Sequence, residues 1–174
     1  MQKVKLPISV DPVRAAQSGT EFKAIIQKAL MRRLAESTIS IQSDINTSFT
    51  FEIDRQKLRI FHGKASVAVE LICQRCNEPM IYQCEAEFTY CPVHNQEQEN
   101  NCPDVYEPIY YDEHGEVNLH EIVEDELILT LPQISKHAIN DCVESKFELT
   151  FGEIEEEEEQ RPNPFEALGQ LKRK

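Results

Sequence analysis

The chain has 174 residues, 40% of them apolar and 28% charged, with a mean hydropathy of −0.48. That is enough apolar material for one domain core, but no run approaches the roughly 18 apolar residues of a membrane-spanning helix. The formal net charge of −13 runs against the electrostatic footprint of an autonomous nucleic-acid binder, and a solvated acidic surface of this kind attracts basic proteins.

The charge is unevenly spread. Residues 1–36 carry seven bases against three acids, 37–84 five of each, 85–160 two bases against 22 acids, and 161–174 four bases against one acid. Pro7 and Asp11 interrupt the first apolar stretch before a signal-peptide core forms, so the chain reads as cytoplasmic. Its six cysteines are then expected to stay reduced, and a close pair among them points to metal or redox chemistry.

Asp11-Pro12 has the form of an N-cap followed by a first-turn proline, opening a short helix that closes near Ser18-Gly19. Thr20-Glu21 caps a second predicted helix, in which Phe22, Ile25, Ile26, Ala29 and Leu30 recur at helical spacing to about Glu36. On that helix Lys28 and Arg32 share one flank at i,i+4 and are candidate contacts for a nucleic-acid or ribosomal partner.

From Thr38 to Cys91 the period changes to two. Five strands are expected, around Ile39 and Ile41, Phe49 to Ile53, Leu58 and Ile60, Val67 to Leu71, and Met80 to Tyr90. Turns at Asp54-Arg55-Gln56 and His62-Gly63-Lys64 are too short for a parallel crossover, so the strands form an antiparallel meander or partial barrel. Residues 92–105 read as a mobile loop, followed by a short strand near Ile109 to Tyr111 and a turn at Glu113-His114-Gly115. Asn118 and Glu121 have the spacing of a capping box, opening an amphipathic helix that Pro132 stops. Its acids Glu121, Glu124 and Asp125 are candidate partner-binding residues.

The fold class is therefore α+β, with a single domain over 1–152. Six glutamates in the seven residues 153–159 make 153–160 an acidic flexible segment, because like charges at that density oppose compaction. Residues 161–174 form a short amphipathic segment with a basic end, able to dock on a partner or fold back on the domain.

Cys73-Gln74-Arg75-Cys76 places two thiols three positions apart on a predicted turn, half of a tetrahedral zinc site. Cys91 and His94 extend the string, but a single strand from 79 to 90 would put Cys91 roughly 40 Å from the turn at about 3.3 Å per residue. His137 and Cys142, after the acidic helix, are the better completing pair, so Cys73, Cys76, His137 and Cys142 are the candidate metal ligands. Cys84 falls on an apolar strand face, and Cys102 has no evident partner. No glycine-rich phosphate loop, G-x-S-x-G turn or HExxH helix is present, so no catalytic residue is assigned. The acids at 121, 124, 125 and 126 would make a nuclease metal cluster only by converging, and consecutive helix positions spread them around the circumference.

Five blocks carry a resemblance: Met1-Gln2-Lys3-Val4-Lys5-Leu6-Pro7, Asp11-Pro12-Val13-Arg14, Leu71-Ile72-Cys73-Gln74-Arg75-Cys76, Val123-Glu124-Asp125-Glu126-Leu127-Ile128-Leu129 with Leu131-Pro132, and Asn163-Pro164-Phe165 through Leu168. In order and spacing the chain resembles the YceD family of large ribosomal RNA subunit accumulation proteins, nearly end to end. The resemblance implies a cytoplasmic bacterial factor, not an enzyme, that supports synthesis, processing or stability of 23S ribosomal RNA. It also implies partners in the large-subunit precursor, a basic ribosomal protein or ribosomal RNA, with no membrane and no small-molecule substrate. Many relatives have a second close cysteine pair where this chain has only His137 and Cys142. A precursor-RNA nuclease or nuclease cofactor, and a zinc or redox module centred on the CxxC, are the alternative functions.

Overall fold

The computed structural model describes residues 6–138 and 141–142. The acidic segment at 153–160 and the amphipathic segment at 161–174 lie outside the described residues.

Helix α1 (Pro12–Ser18) forms where its cap predicts. Asp11 accepts hydrogen bonds from the backbone N–H groups of Val13 and Arg14, both 3.0 Å, and Gly19 ends the helix in the left-handed region at φ 60°. The predicted helix over 20–36 is instead three elements: strand β2 (Glu21–Ile26), a 3₁₀ turn at Lys28–Leu30, and the short helix α2 (Arg32–Glu36). Phe22, Ala24 and Ile26 satisfy a two-residue period as well as a helical one. Pairing with strand β4 (Ile45–Ile53), in register from Glu21↔Thr50 to Ile26↔Ile45, gives that period a core to face.

Strand β3 (Ser40–Ile41) pairs with strand β5 (Arg59–Ile72), which also pairs with β4. β5 runs unbroken through His62-Gly63-Lys64, where a turn was expected. Gly63 lies opposite Phe88 of strand β6 (Pro79–Val93), and a Cβ there would come within 2.0 Å of the Phe88 ring. The glycine makes room for an aromatic ring, and the chain does not bend.

Strand β6 extends to Val93. The mobile loop expected over 92–105 contains helix α3 (Gln96–Asn100), capped by Asn95, whose side chain accepts from the Gln98 N–H at 2.9 Å. Strand β7 (Glu107–Tyr110) then lies parallel to β6, which the all-antiparallel expectation missed; the passage through α3 supplies the crossover length a parallel pair needs. The sheet order is β2-β4-β5-β6-β7, with β3 beside β5, a mixed open sheet and not a closed barrel. A small second sheet joins β1 (Ser9–Val10) to β8 (Val117–Asn118).

Helix α4 (Leu119–Leu129) starts where Asn118 accepts from the N–H groups of His120 and Glu121. It buries Leu119, Ile122, Val123 and Leu127 against a core of Phe49, Phe51, Phe61 and Val69. No helix among the described residues is long and apolar enough to cross a membrane.

A candidate metal centre at the hairpin tip

Ile72 and Pro79 are the last pair between β5 and β6, so Cys73–Glu78 is the tip of a long hairpin. The tip is closed by the Cys73 N–H on the Glu78 carbonyl (3.0 Å) and the Asn77 N–H on the Cys73 carbonyl (2.9 Å). Asn77 takes the left-handed conformation the turn requires, φ 62°, which asparagine tolerates better than most residues.

Beyond α4 and Pro132 the chain returns to this tip. Gln74 N–H donates to the Ser135 carbonyl at 2.8 Å, and the Ser135 hydroxyl donates to the Ile72 carbonyl at 2.6 Å. That backbone seam carries His137 and Cys142 to the CxxC. The ligand atoms of Cys73, Cys76, His137 and Cys142 all lie within 4.8 Å of one another.

The distances fit a tetrahedral ion. Zinc bonds of about 2.3 Å to sulfur and about 2.0 Å to nitrogen place two sulfurs roughly 3.8 Å apart and a sulfur and nitrogen roughly 3.5 Å apart. Cys73 and Cys142 Sγ are 4.0 Å apart, and Cys76 Sγ is 3.4 Å from His137 Nδ1. The other ring nitrogen, Nε2, is 3.2 Å from the Pro79 carbonyl, which can only accept. Nε2 therefore carries the proton, and the Nδ1 lone pair faces the thiols, as a metal-binding histidine requires.

The backbone prepares the sulfurs for charge. Burial pushes the Cys73 thiol up, but the N–H groups of His137, Cys76 and Arg75 together bring it down to about 5. At Cys76 the Glu78 N–H lowers the thiol, while burial and the Cys142 and Cys73 sulfurs outweigh it and push the thiol up. Three thiols this close cannot all ionise without a cation among them. Arg75 supplies one positive charge: its Nε donates to Cys142 Sγ at 3.0 Å and its Nη2 to the carbonyls of His137 (3.1 Å) and Ala138 (3.3 Å).

The remaining cysteines lie elsewhere. Cys84 is fully buried on the apolar face, where burial raises its thiol. Cys91, at the far end of β6, packs with Ile60 and Val93 in a second small cluster that also takes in Cys102. Burial, and then the Cys102 thiol, push Cys91 up to about 12. This is the partner that sequence reasoning did not find for Cys102.

Of the candidate partner-binding residues, Arg32, Glu121, Glu124 and Asp125 line one cavity between α2 and α4, and Lys28 does not, but their side chains are not equally available there. Glu124 is buried: its Oε1 accepts from the backbone N–H groups of Arg33 (2.7 Å) and Leu34 (3.1 Å), and its Oε2 from Arg33 Nε (3.2 Å). It caps α2, whose own N-cap Met31 offers no side-chain acceptor, so it is not part of an exposed acidic face. Asp125 is ion-paired with Arg33, and only Glu121 of the three stands exposed without being drawn into that contact. Lys28 and Arg32 are both exposed but belong to different elements, so the shared helical flank does not exist. The Lys28 ammonium donates to the Ile41 carbonyl at 2.9 Å. Among the described residues, the four acids of α4 form no group able to hold a metal, since Glu126 is also taken, by the Tyr90 hydroxyl.

No solved structure matches the chain. A family model described as large ribosomal RNA subunit accumulation protein YceD matches residues 61–172, a span that contains all four candidate ligands. A curated protein from Haemophilus influenzae with that same description is 45% identical over 174 residues, covering the whole of both chains. The hairpin, the acidic helix and the segment between them are thus part of a shared chain plan, and the protein belongs to the YceD family.

Proposed function

We propose that the protein is a non-enzymatic, cytoplasmic factor that supports accumulation of 23S ribosomal RNA by binding a component of the large-subunit precursor. The observation that carries this reading is the end-to-end likeness to a protein described by that role. Its partner is a basic ribosomal protein or the ribosomal RNA itself. The exposed acids Glu85, Glu97, Asp104, Glu107, Glu113 and Glu121 favour the basic protein, because an acidic surface steers cationic partners and repels phosphate.

The cluster of Cys73, Cys76, His137 and Cys142 holds one structural zinc ion. In that role the metal cross-links the β5–β6 hairpin tip to the segment after α4, and no substrate passes through it. The ligand spacing, the His137 proton position and the amide donors around Cys73 support this reading.

The function is tested by sedimenting the tagged protein from a gentle lysate through a sucrose gradient, with and without ribonuclease. The expected result is co-migration with large-subunit precursors, weakening steeply from low to high salt. A protein that stays at the top of every gradient, with normal precursor levels in cells lacking it, contradicts the reading.

A further inference from the structure

Zinc bound by three thiolates and a neutral imidazole carries a net charge of −1, which a cation placed beside the ligands offsets. Arg75 sits between the two cysteines of the CxxC and reaches across to the other half of the ligand set. Its Nε donates to Cys142 Sγ at 3.0 Å and its Nη2 to the carbonyls of His137 and Ala138, and the Ala138 carbonyl also accepts from the Cys142 N–H at 3.2 Å. Cys142 depends on this contact more than the other ligands do. Cys73 receives backbone N–H groups and Cys76 receives that of Glu78, whereas Arg75 is the donor shown at Cys142.

We propose that Arg75 is an outer-shell member of the metal centre, a positioning residue that holds the Cys142 sulfur on the ion and offsets the negative charge of the four-ligand set. It thereby governs how firmly the metal is kept. This rests on the zinc reading above. The planar fork matters as well as the charge: a lysine ammonium supplies one point of contact and cannot bridge a sulfur and two carbonyls in a fixed geometry.

The test compares the parent with Arg75→Met and Arg75→Lys, each loaded with one equivalent of zinc and challenged with a chromophoric chelator. Arg75 is exposed, so neither change disturbs the core. Outer-shell substitutions typically cost about 10–100-fold in metal affinity, which is the loss expected for Arg75→Met, with Arg75→Lys recovering part of it. Cobalt substitution adds a readout that a merely structural residue would not move: the thiolate-to-metal charge-transfer band falls in Arg75→Met as Cys142 detaches. In a Cys142→Ser background the same Arg75→Met change has no further effect on either readout.

Equal chelator resistance and an unchanged cobalt spectrum in parent and Arg75→Met overturn the proposal while leaving the zinc reading intact. An equal loss in the Cys142→Ser background also overturns it, because Arg75 would then act only through the two carbonyls. A parent chain that takes up neither zinc nor cobalt overturns the zinc reading and this one together.

Discussion

Gly63 and Glu124 are two residues whose surroundings invert what their types suggest. A glycine in a short polar stretch reads as a turn, yet Gly63 sits mid-strand with the Phe88 ring over its α-carbon. Gly63→Ala is therefore expected to overpack the sheet and destabilise by about 1–3 kcal/mol, read from the urea midpoint. An unchanged midpoint would mean the ring moves aside freely. Glu124 reads as one more surface acid, but it supplies the acceptor for two orphan N–H groups at the start of α2. Glu124→Ala should cost about 2 kcal/mol by leaving those donors unmet, and Glu124→Gln less, since an amide oxygen still accepts. Nothing in the sequence pattern separates Glu124 from Glu121; the distinction exists only once α2 lies against α4. The CxxC was legible because its chemistry is local, and His137 and Cys142 were reachable because strand length removed Cys91 from contention.

Among the elements, the cap-bounded helices α1 and α4 and the long alternating strands were readable, since each carries its own start signal or a sustained period. The segment 20–36 was not. Its apolar residues fit both periods, and tertiary pairing with β4 decided between them. The register of β5 with β6 also sets the contact of α4 with the sheet: the Tyr90 hydroxyl donates to Glu126, and the Tyr82 hydroxyl to the Thr130 carbonyl at 3.3 Å. Burial raises the Glu126 carboxyl above its usual range, against the lowering effect of the Tyr90 hydrogen bond. A carboxyl with a raised folded-state pKa binds its proton more tightly in the native protein. Its stabilising contribution is full below the unfolded pKa and is lost as pH rises through the folded one. Glu126→Gln, which stays neutral and keeps an acceptor for Tyr90, is accordingly expected to raise the thermal midpoint at pH 7. The two proteins should converge by about pH 3.5, where both side chains are neutral. A midpoint lowered at pH 7 would show that the charged carboxylate is the favoured partner of Tyr90.

At the scale of the molecule, the open mixed sheet was only partly foreseeable. Short connections argue for antiparallel neighbours, but the parallel β6–β7 pair depends on a helix hidden in a stretch rich in Gln, Glu and Asn. The candidate metal centre joins two parts of the chain more than 60 residues apart, Arg75 reaching Cys142 across a separation of 67. A zinc ion bound there only in the folded state would stabilise that state by mass action, so removing zinc with a chelator should lower the thermal midpoint, and restoring it should reverse the loss. A midpoint indifferent to chelator would leave the hairpin tip held by its backbone seam alone.

The most direct measurement is native mass spectrometry of protein purified without added metal, beside Cys73→Ser. The expected native mass exceeds that of the chain by one zinc ion, lost on acid denaturation and absent from Cys73→Ser. A native mass equal to that of the chain, with less than ~0.2 equivalents of metal bound, would contradict a structural zinc site, given how tightly such sites bind.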